Sequence, residues 1–133
     1  MIQFFVACVP RGKQRARVLR SGRSYTPKET VDLERLIAWE CKKAMGQRKP
    51  LEGPLWLTVK ASFHYPKAWS VRKRALTNWK DSKPDIDNIV KLVKDSLKGI
   101  AWGDDAQVAV LRECSKEYIL WTSGLSVEFG PCP

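Results

Sequence analysis

The segment PDIDNIVKLVKDSLKG, residues 84 to 99, predicts the central helix of the fold. Its apolar side chains recur at helical spacing, at Ile86, Ile89, Val90, Val93 and Leu97. Asp81-Ser82-Lys83-Pro84 breaks the chain before it, and Gly99 is a candidate C-cap. Asp85 and Asp87 therefore fall at or just before the first helical turn.

Three further segments predict strands and a first helix around this centre. Ile2 to Val9 carries alternating large apolar residues, and Leu55 to Tyr65 alternates apolar with polar residues, which is typical of a half-buried strand. Thr26-Pro27-Lys28-Glu29 matches a capping box with proline at the first helical position, so we expect a helix from Thr26 to about Gly46. A basic loop separates the first strand from this helix.

The remaining segments complete a predicted α+β domain. Ser70 is a candidate cap of a short helix, in which Val71, Ala75 and Trp79 point one way and basic residues point outward. After a turn at residues 102–105, strands are expected near residues 107–117 and 125–129. Together these elements predict one domain over residues 1–133, with a mixed sheet of about four strands packed with two to three helices.

Composition restricts the class of protein. A chain of 133 residues is expected to bury one core, and no apolar run approaches the roughly 18 residues of a membrane span. No secretory signal is visible, which predicts a cytoplasmic protein. Four widely separated cysteines and one histidine disfavour a disulfide scaffold or a zinc site.

Positive charge is concentrated in two stretches. The chain has 24 Lys and Arg against 14 Asp and Glu, a formal net charge of +10. Residues 1–30 hold seven basic side chains and one acid, and residues 67–83 hold six and one. Such clusters repel one another unless a polyanion neutralises them, so we expect nucleic acid as partner, although a plain basic surface is the simpler alternative. The predicted DNA contacts are Arg11, Lys13, Arg15, Arg17, Arg20, Arg23, Arg72, Lys73, Arg74, Lys83 and Asn88.

Acids are concentrated where the central helix begins. Asp85, Asp87, Asp95, Asp104 and Asp105 all lie within 21 residues. Two carboxylates two residues apart converge in irregular backbone, and Lys91 lies one helical turn after Asp87. If the turn at Asp104-Asp105 folds against this helix, oxygen-only ligands favour Mg²⁺, or Mn²⁺ in its place. Such a site activates water for attack on a phosphodiester, and Lys91 stabilises the transition state.

Each part of this pattern has a simpler interpretation. Asp85 or Asp87 serves equally as a helix cap, Asp87 with Lys91 as a surface ion pair, and Asp104-Asp105 as turn residues. Spacing alone does not separate Asp104 from Asp105. A restriction-type nuclease motif is disfavoured, because no acid-x-Lys follows Pro84-Asp85. A non-catalytic, basic nucleic-acid-binding module stays open as the alternative function.

Several of these motifs together resemble the RusA family of Holliday junction resolvases. The resemblance is carried by Lys83-Pro84-Asp85-Ile86-Asp87-Asn88, Lys91, Asp95, Leu97, Trp102 and Asp104-Asp105-Ala106-Gln107-Val108. The stretches Gly12 to Arg17 and Tyr25 to Lys28 are similar to the form of this family found in phages and bacterial prophages.

The resemblance implies a homodimeric, Mg²⁺-dependent endonuclease that makes paired symmetric nicks in four-way DNA junctions. By position, it places the essential metal-binding acids at Asp85, Asp87 and Asp105, and the essential lysine at Lys91. A two-fold dimer suits a junction of near two-fold symmetry, because one acid cluster then serves each of two equivalent phosphates.

Overall fold

A mixed five-stranded sheet with two long helices on one face forms the core of the protein. The computed structural model describes all 133 residues. In chain order the elements are β1 (Ile2–Ala7), β2 (Arg17–Val18), β3 (Ser24–Tyr25), α1 (Lys28–Met45), β4 (Leu55–His64), α2 (Val71–Leu76), α3 (Ile86–Leu97), β5 (Val108–Leu111), β6 (Ser115–Ile119) and β7 (Gly124–Pro131).

The sheet combines antiparallel and parallel pairing. β7 lies between β1 and β4 and is antiparallel to both. β5 and β6 both pair in parallel with β4, one along each half of it. β2 and β3 form a separate hairpin inside the segment predicted as a basic loop. The predicted α+β class with a mixed sheet is confirmed, with five strands in that sheet instead of about four and three α-helices.

The core lies between the sheet and the pair α1 and α3. Apolar side chains of β4 are buried along its whole length, from Leu55 to Phe63. The strand was expected to be half-buried, but Thr58 and Ser62 on its polar face are buried too. Other strands pair with β4 on both edges, and His64 at its end is its one fully exposed residue, whereas Trp56 and Lys60 are half-buried. None of the helices is long and apolar enough to cross a membrane.

The first helix begins differently from the prediction. It starts at Lys28, and no side chain caps it, so the capping box at Thr26 is wrong. Pro27 keeps an extended ψ of 143° and stands just outside the helix, where its carbonyl accepts from the amides of Thr30 and Val31. The hydroxyl of buried Thr30 instead donates to Gln14 Oε1 at 2.8 Å, which ties the basic loop to α1. The predicted end at Gly46 is confirmed.

Two other elements depart from the sequence pattern. Ser70 caps α2 as predicted, since its hydroxyl accepts from the Lys73 amide, but no residue of this single-turn helix is buried and Val71 is 83% exposed. The strand expected over residues 107–117 is split into β5 and β6, because the intervening Glu113 has a left-handed φ of 45°. Both halves still pair in parallel with β4.

Candidate functional site

The start of α3 presents two carboxylates that have no partner inside the protein. Asp85 occupies the N-cap position but makes no side-chain capping bond, and Asp87 follows in the first turn. Both are exposed, and neither takes part in any of the four ion pairs of the chain. The cap and surface-pair interpretations therefore leave both carboxylates unexplained, and both are free to bind a ligand.

A lysine from the sheet fixes the turn that leads into α3. Lys116, on β6, donates from Nζ to the carbonyls of Ser82 at 2.8 Å and Pro84 at 2.9 Å. Lys80 donates to the Ser82 hydroxyl at 2.9 Å. Because these charge-assisted bonds hold the residues just before Asp85, they set where the first turn of α3 points. The sequence carried no signal for Lys116, since more than 30 residues separate it from the turn.

The turn after α3 separates the roles of its two neighbouring acids. Asp104 accepts the amide of Ala106 at 3.0 Å and caps the short 3₁₀-helix Asp105–Gln107. Asp105 Oδ1 accepts the indole N–H of fully buried Trp102 at 2.9 Å. Asp104 is thus used locally, whereas Asp105 is oriented by the core.

Gln107 holds the same turn from its other side. Its Oε1 accepts the amides of Gly103 and Asp104, both at 3.0 Å. Its Nε2 donates to the carbonyls of Leu51 at 2.9 Å and Gly53 at 3.1 Å. Because both the oxygen and the nitrogen of its amide group form two hydrogen bonds, Gln107 links the turn that carries Asp104 and Asp105 to the segment before β4.

One cleft of about 540 Å³, which we call the α3 cleft, brings together residues from both acid segments. Ile86, Val90 and Leu111 supply apolar wall, and the polar lining is Asp87, Lys91, Lys94, Asp95 and Asp105. Lys91 forms no ion pair, so its ammonium is available to an anion. The structure thus gathers Asp87, Lys91 and Asp105 around one opening.

Asp85 lies in a different opening. A second cleft of about 520 Å³, the loop cleft, is lined by Asp85 together with Arg11, Lys13, Lys83 and Asn88. Gly12 is in close contact there: a Cβ added to it would lie 2.9 Å from Asn88 Cβ. Four of the predicted DNA contacts therefore surround Asp85, on the other side of the helix start from the α3 cleft.

The donor chemistry of the α3 cleft suits a hard divalent cation. Asp87 and Asp105 offer carboxylate oxygens, while burial raises the pKa of the Cys114 thiol and disfavours a thiolate ligand. No three of the chain's His, Cys, Asp and Glu side chains form a ready metal-binding group. Mg²⁺ needs no such group, because it keeps several waters and often binds through one or two carboxylates. The residues present fit a magnesium-type ion held by two carboxylates.

Lys13 is engaged inside the protein. Its Nζ lies 2.6 Å from Glu34 Oε1 on α1 and 3.3 Å from Asp95 Oδ2 on α3. Burial lowers the pKa of Lys13, but the hydrogen bonds and charges of Glu34 and Asp95 outweigh it and raise the pKa above its usual 10.5. Asp95 is therefore paired, and Lys13 joins the basic loop to both helices.

The other predicted DNA contacts differ in how free they are. Arg74 donates to the carbonyls of Pro66 and Lys67, so it serves the fold of its own segment, and Lys73 Nζ lies 4.2 Å from the centre of the Trp69 ring. The remaining cations are exposed on the basic loop, the β2–β3 hairpin and α2, namely Arg11, Arg15, Arg17, Arg20, Arg23 and Arg72.

Comparison with known proteins identifies the family of this chain. A search of curated proteins returned no significant match. The family model described as Endodeoxyribonuclease RusA matches residues 7–126, which include both clefts, the helices α1 and α3 and the strands β4, β5 and β6. The chain belongs to the RusA endodeoxyribonuclease family.

Proposed function

We propose that this RusA-family endonuclease uses Mg²⁺ to make paired symmetric nicks in four-way DNA junctions, with Mn²⁺ able to replace Mg²⁺. The proposal is carried by the α3 cleft, where Asp87 and Lys91 of α3 and Asp105 of the following turn line one opening within a strongly basic chain. We also propose that residues 1–133 act as a single unit, since the family match spans most of the chain.

Asp87 and Asp105 are the proposed metal ligands of the α3 cleft. Indole donation from Trp102 orients the Asp105 carboxylate, and the bonds made by Lys116 set the position of Asp87 through the start of α3. When bound, a divalent cation polarises the scissile phosphodiester and makes a water molecule more acidic. We assign Asp85 to the same reaction on its position beside Asp87, although it lines the loop cleft.

Lys91 acts on the phosphate itself. It lies in the α3 cleft with no competing ion pair, so its ammonium offsets the negative charge that develops on the phosphoryl oxygens as the bond breaks. Exposed arginines of the basic loop and the β2–β3 hairpin hold the backbone on either side. Their contacts give affinity and register without reading sequence.

Cleavage of a defined junction tests this function. The protein is incubated with a four-way junction and a linear duplex of the same sequence, with and without Mg²⁺, each strand being end-labelled in turn. We expect symmetric nicks in two opposing strands of the junction, and we expect Asp87→Asn to abolish them while junction binding persists. Asp32→Asn, an exposed acid on α1, is the matched control and should cut like the wild type. Junction cleavage by Asp87→Asn at the wild-type rate would end the proposal.

A homodimer is the proposed working form. Two copies related by a two-fold axis present one α3 cleft to each of two equivalent phosphates, which explains paired incision. Sedimentation of the free protein and of its junction complex tests this. Two copies per junction are expected, and a single copy that nicks both strands would contradict the dimer.

The second candidate is a non-catalytic module that binds branched DNA. It is favoured by one observation, the exposed arginines of the basic loop, the β2–β3 hairpin and α2, which can bind phosphates without any metal. It predicts strongly salt-dependent binding and no Mg²⁺-dependent product on any substrate, and the junction assay separates the two functions.

A further inference from the structure

The six tryptophans of the chain occupy different environments. Trp102 is buried in the core, and Trp56 and Trp69 are half-buried. Three indoles are open to solvent: Trp39 is 60% exposed, Trp79 is 65% exposed and Trp121 is 70% exposed. An exposed indole contributes little buried apolar area to the stability of the folded protein. The residues around it therefore indicate which kind of ligand it could bind.

Trp79 lies in a cleft that continues from the α3 cleft. This Trp79 cleft has a volume of about 550 Å³ and shares Ile86 and Cys114 with the α3 cleft. A group bound on Trp79 would therefore be next to whatever occupies the Asp87 and Asp105 opening. Trp39, in contrast, projects from α1 with Lys43 beside its ring.

The backbone on both sides of Trp79 is held to β6. Trp79 forms an antiparallel bridge with Glu117, the Tyr118 amide donates to Asn78 O at 2.9 Å, and the Lys80 amide donates to Lys116 O at 3.0 Å. A backbone held on both sides limits the positions that the indole can take, which lowers the entropy lost when a ligand stacks on it.

Three lysines line the same cleft as the indole. Lys60, Lys80 and Lys116 line the Trp79 cleft, against Glu113 and Glu117. Two of these lysines are fixed by hydrogen bonds to the Ser82 and Pro84 turn, and Lys60 meets Glu113 only at 3.7 Å. An exposed aromatic face within a lysine-lined groove is the arrangement with which proteins bind unpaired nucleotides.

We propose that Trp79 stacks on an unstacked base of the branched DNA, next to the phosphodiester that is cut. This rests on the proposed function and specifies the feature of the substrate that the protein recognises: bases released from stacking at the branch point. A second copy of the chain fits this surface less well. Residues 67–83 carry six basic side chains and one acid, so two such surfaces would repel.

Binding measurements on matched substrates test the stacking. Affinity for a four-way junction and for a linear duplex of the same sequence is measured by anisotropy in EDTA, for wild type, Trp79→Ala, Trp79→Phe and Trp39→Ala. A stacked base is worth roughly 1 to 3 kcal/mol. Trp79→Ala should therefore bind the junction about 5- to 150-fold more weakly with duplex affinity unchanged, Trp79→Phe should recover most of the loss, and Trp39→Ala should match wild type.

Three outcomes would overturn the stacking. These are equal loss on junction and duplex, no loss on either, or a change in sedimentation of Trp79→Ala without DNA, which would make the indole a subunit contact. Thermal unfolding of each variant checks that the fold is intact. Trp79→Leu, which keeps apolar bulk without an aromatic face and should show the same junction-specific loss, keeps the test valid if the alanine variant unfolds. These measurements record binding in the absence of cleavage. A missing effect of Trp79→Ala would therefore contradict the stacking alone, whereas wild-type protein that does not cut junctions would contradict the proposed function.

Discussion

Trp102 donates its indole N–H to Asp105 Oδ1 at 2.9 Å from a fully buried position. A buried ring cannot move without disturbing the core, so this bond fixes one oxygen of Asp105 and leaves the other to the α3 cleft. The neighbouring Asp104 instead caps the local turn. Core packing, rather than spacing along the chain, thus selects which of two adjacent acids faces the cleft.

Removal of the indole donor should impair cutting more than binding. Trp102→Phe keeps an aromatic ring but frees Asp105, and loss of a hydrogen bond to a charged group typically costs about 1.5 to 3 kcal/mol. We expect single-turnover cleavage to fall by at least about tenfold while junction affinity changes little. Trp56→Phe, a half-buried indole outside the α3 cleft, is the matched control. An unchanged cleavage rate in Trp102→Phe would show that Asp105 needs no orientation.

Lys116 is expected to act as a positioning residue. Lys116→Met removes both bonds to the Ser82 and Pro84 carbonyls, so the start of α3 should loosen and cleavage should fall by about tenfold. The readout specific to positioning is the Mg²⁺ concentration for half-maximal cleavage, which should rise. Lys116→Arg should restore part of it, and Lys42→Met, an exposed lysine of α1, should behave like wild type. Equal Mg²⁺ dependence of Lys116→Met and wild type would contradict this role.

Close contact at Gly12 predicts a steric defect. A Cβ there would lie 2.9 Å from Asn88 Cβ, and the Lys13 amide donates to Asn88 O at 3.0 Å in the same contact. Gly12→Ala should push the basic loop off α3, lower the free energy of unfolding by about 1 kcal/mol and weaken junction binding. Denaturant unfolding and anisotropy measure both effects, with Ser21→Ala at the exposed hairpin turn as control. A fully stable Gly12→Ala that binds normally would show that the loop tolerates displacement.

The ion pairs of Lys13 predict a pH-dependent contribution to stability. The pKa of Lys13 is raised in the folded protein, so its contribution is complete below the usual value of 10.5 and is lost as pH rises through the higher folded value. Lys13→Met should therefore lower the free energy of unfolding by about 1 to 2 kcal/mol at pH 7, and the difference should shrink as the pH rises beyond the usual lysine pKa of 10.5. Urea unfolding at pH 7 and across the alkaline range measures this. If the difference in free energy of unfolding between wild type and Lys13→Met stays constant as the pH rises, the loss of stability comes from packing and not from the ion pairs.

Local sequence patterns predicted most elements of the fold but not all of their ends, nor the exposure of every element. The helical spacing from Ile86 to Leu97 and the alternation along β4 reflect burial against a core, which periodicity reports directly. The start of α1 depended on the ψ of Pro27, and the split between β5 and β6 depended on the φ of Glu113. Neither angle is encoded in hydrophobic pattern.

Local spacing grouped the site residues that share one helix, and the family resemblance added Asp105 from the following turn. The spacing of Asp87 and Lys91 places both on the same cleft, whereas Asp85, two residues earlier, turns to the loop cleft. The supporting bonds of Lys116 and Gln107 join segments that are distant in sequence, so no local pattern predicts them. Lys13 was predicted as a DNA contact because it lies in a basic stretch of the sequence. Its ion-pair partners Glu34 and Asp95 lie on two helices that are distant in sequence, so the local charge pattern did not reveal them.

Cleavage by variants of the two neighbouring acids tests the central claim most directly. The rate of Mg²⁺-dependent incision of a four-way junction is compared for wild type, Asp104→Asn and Asp105→Asn. Asparagine still caps a turn, so Asp104→Asn should cut at close to the wild-type rate. Asp105→Asn should lose incision while still binding the junction. Equal rates for the two variants, whether both are active or both inactive, would contradict the assignment of Asp105 to the metal in the α3 cleft.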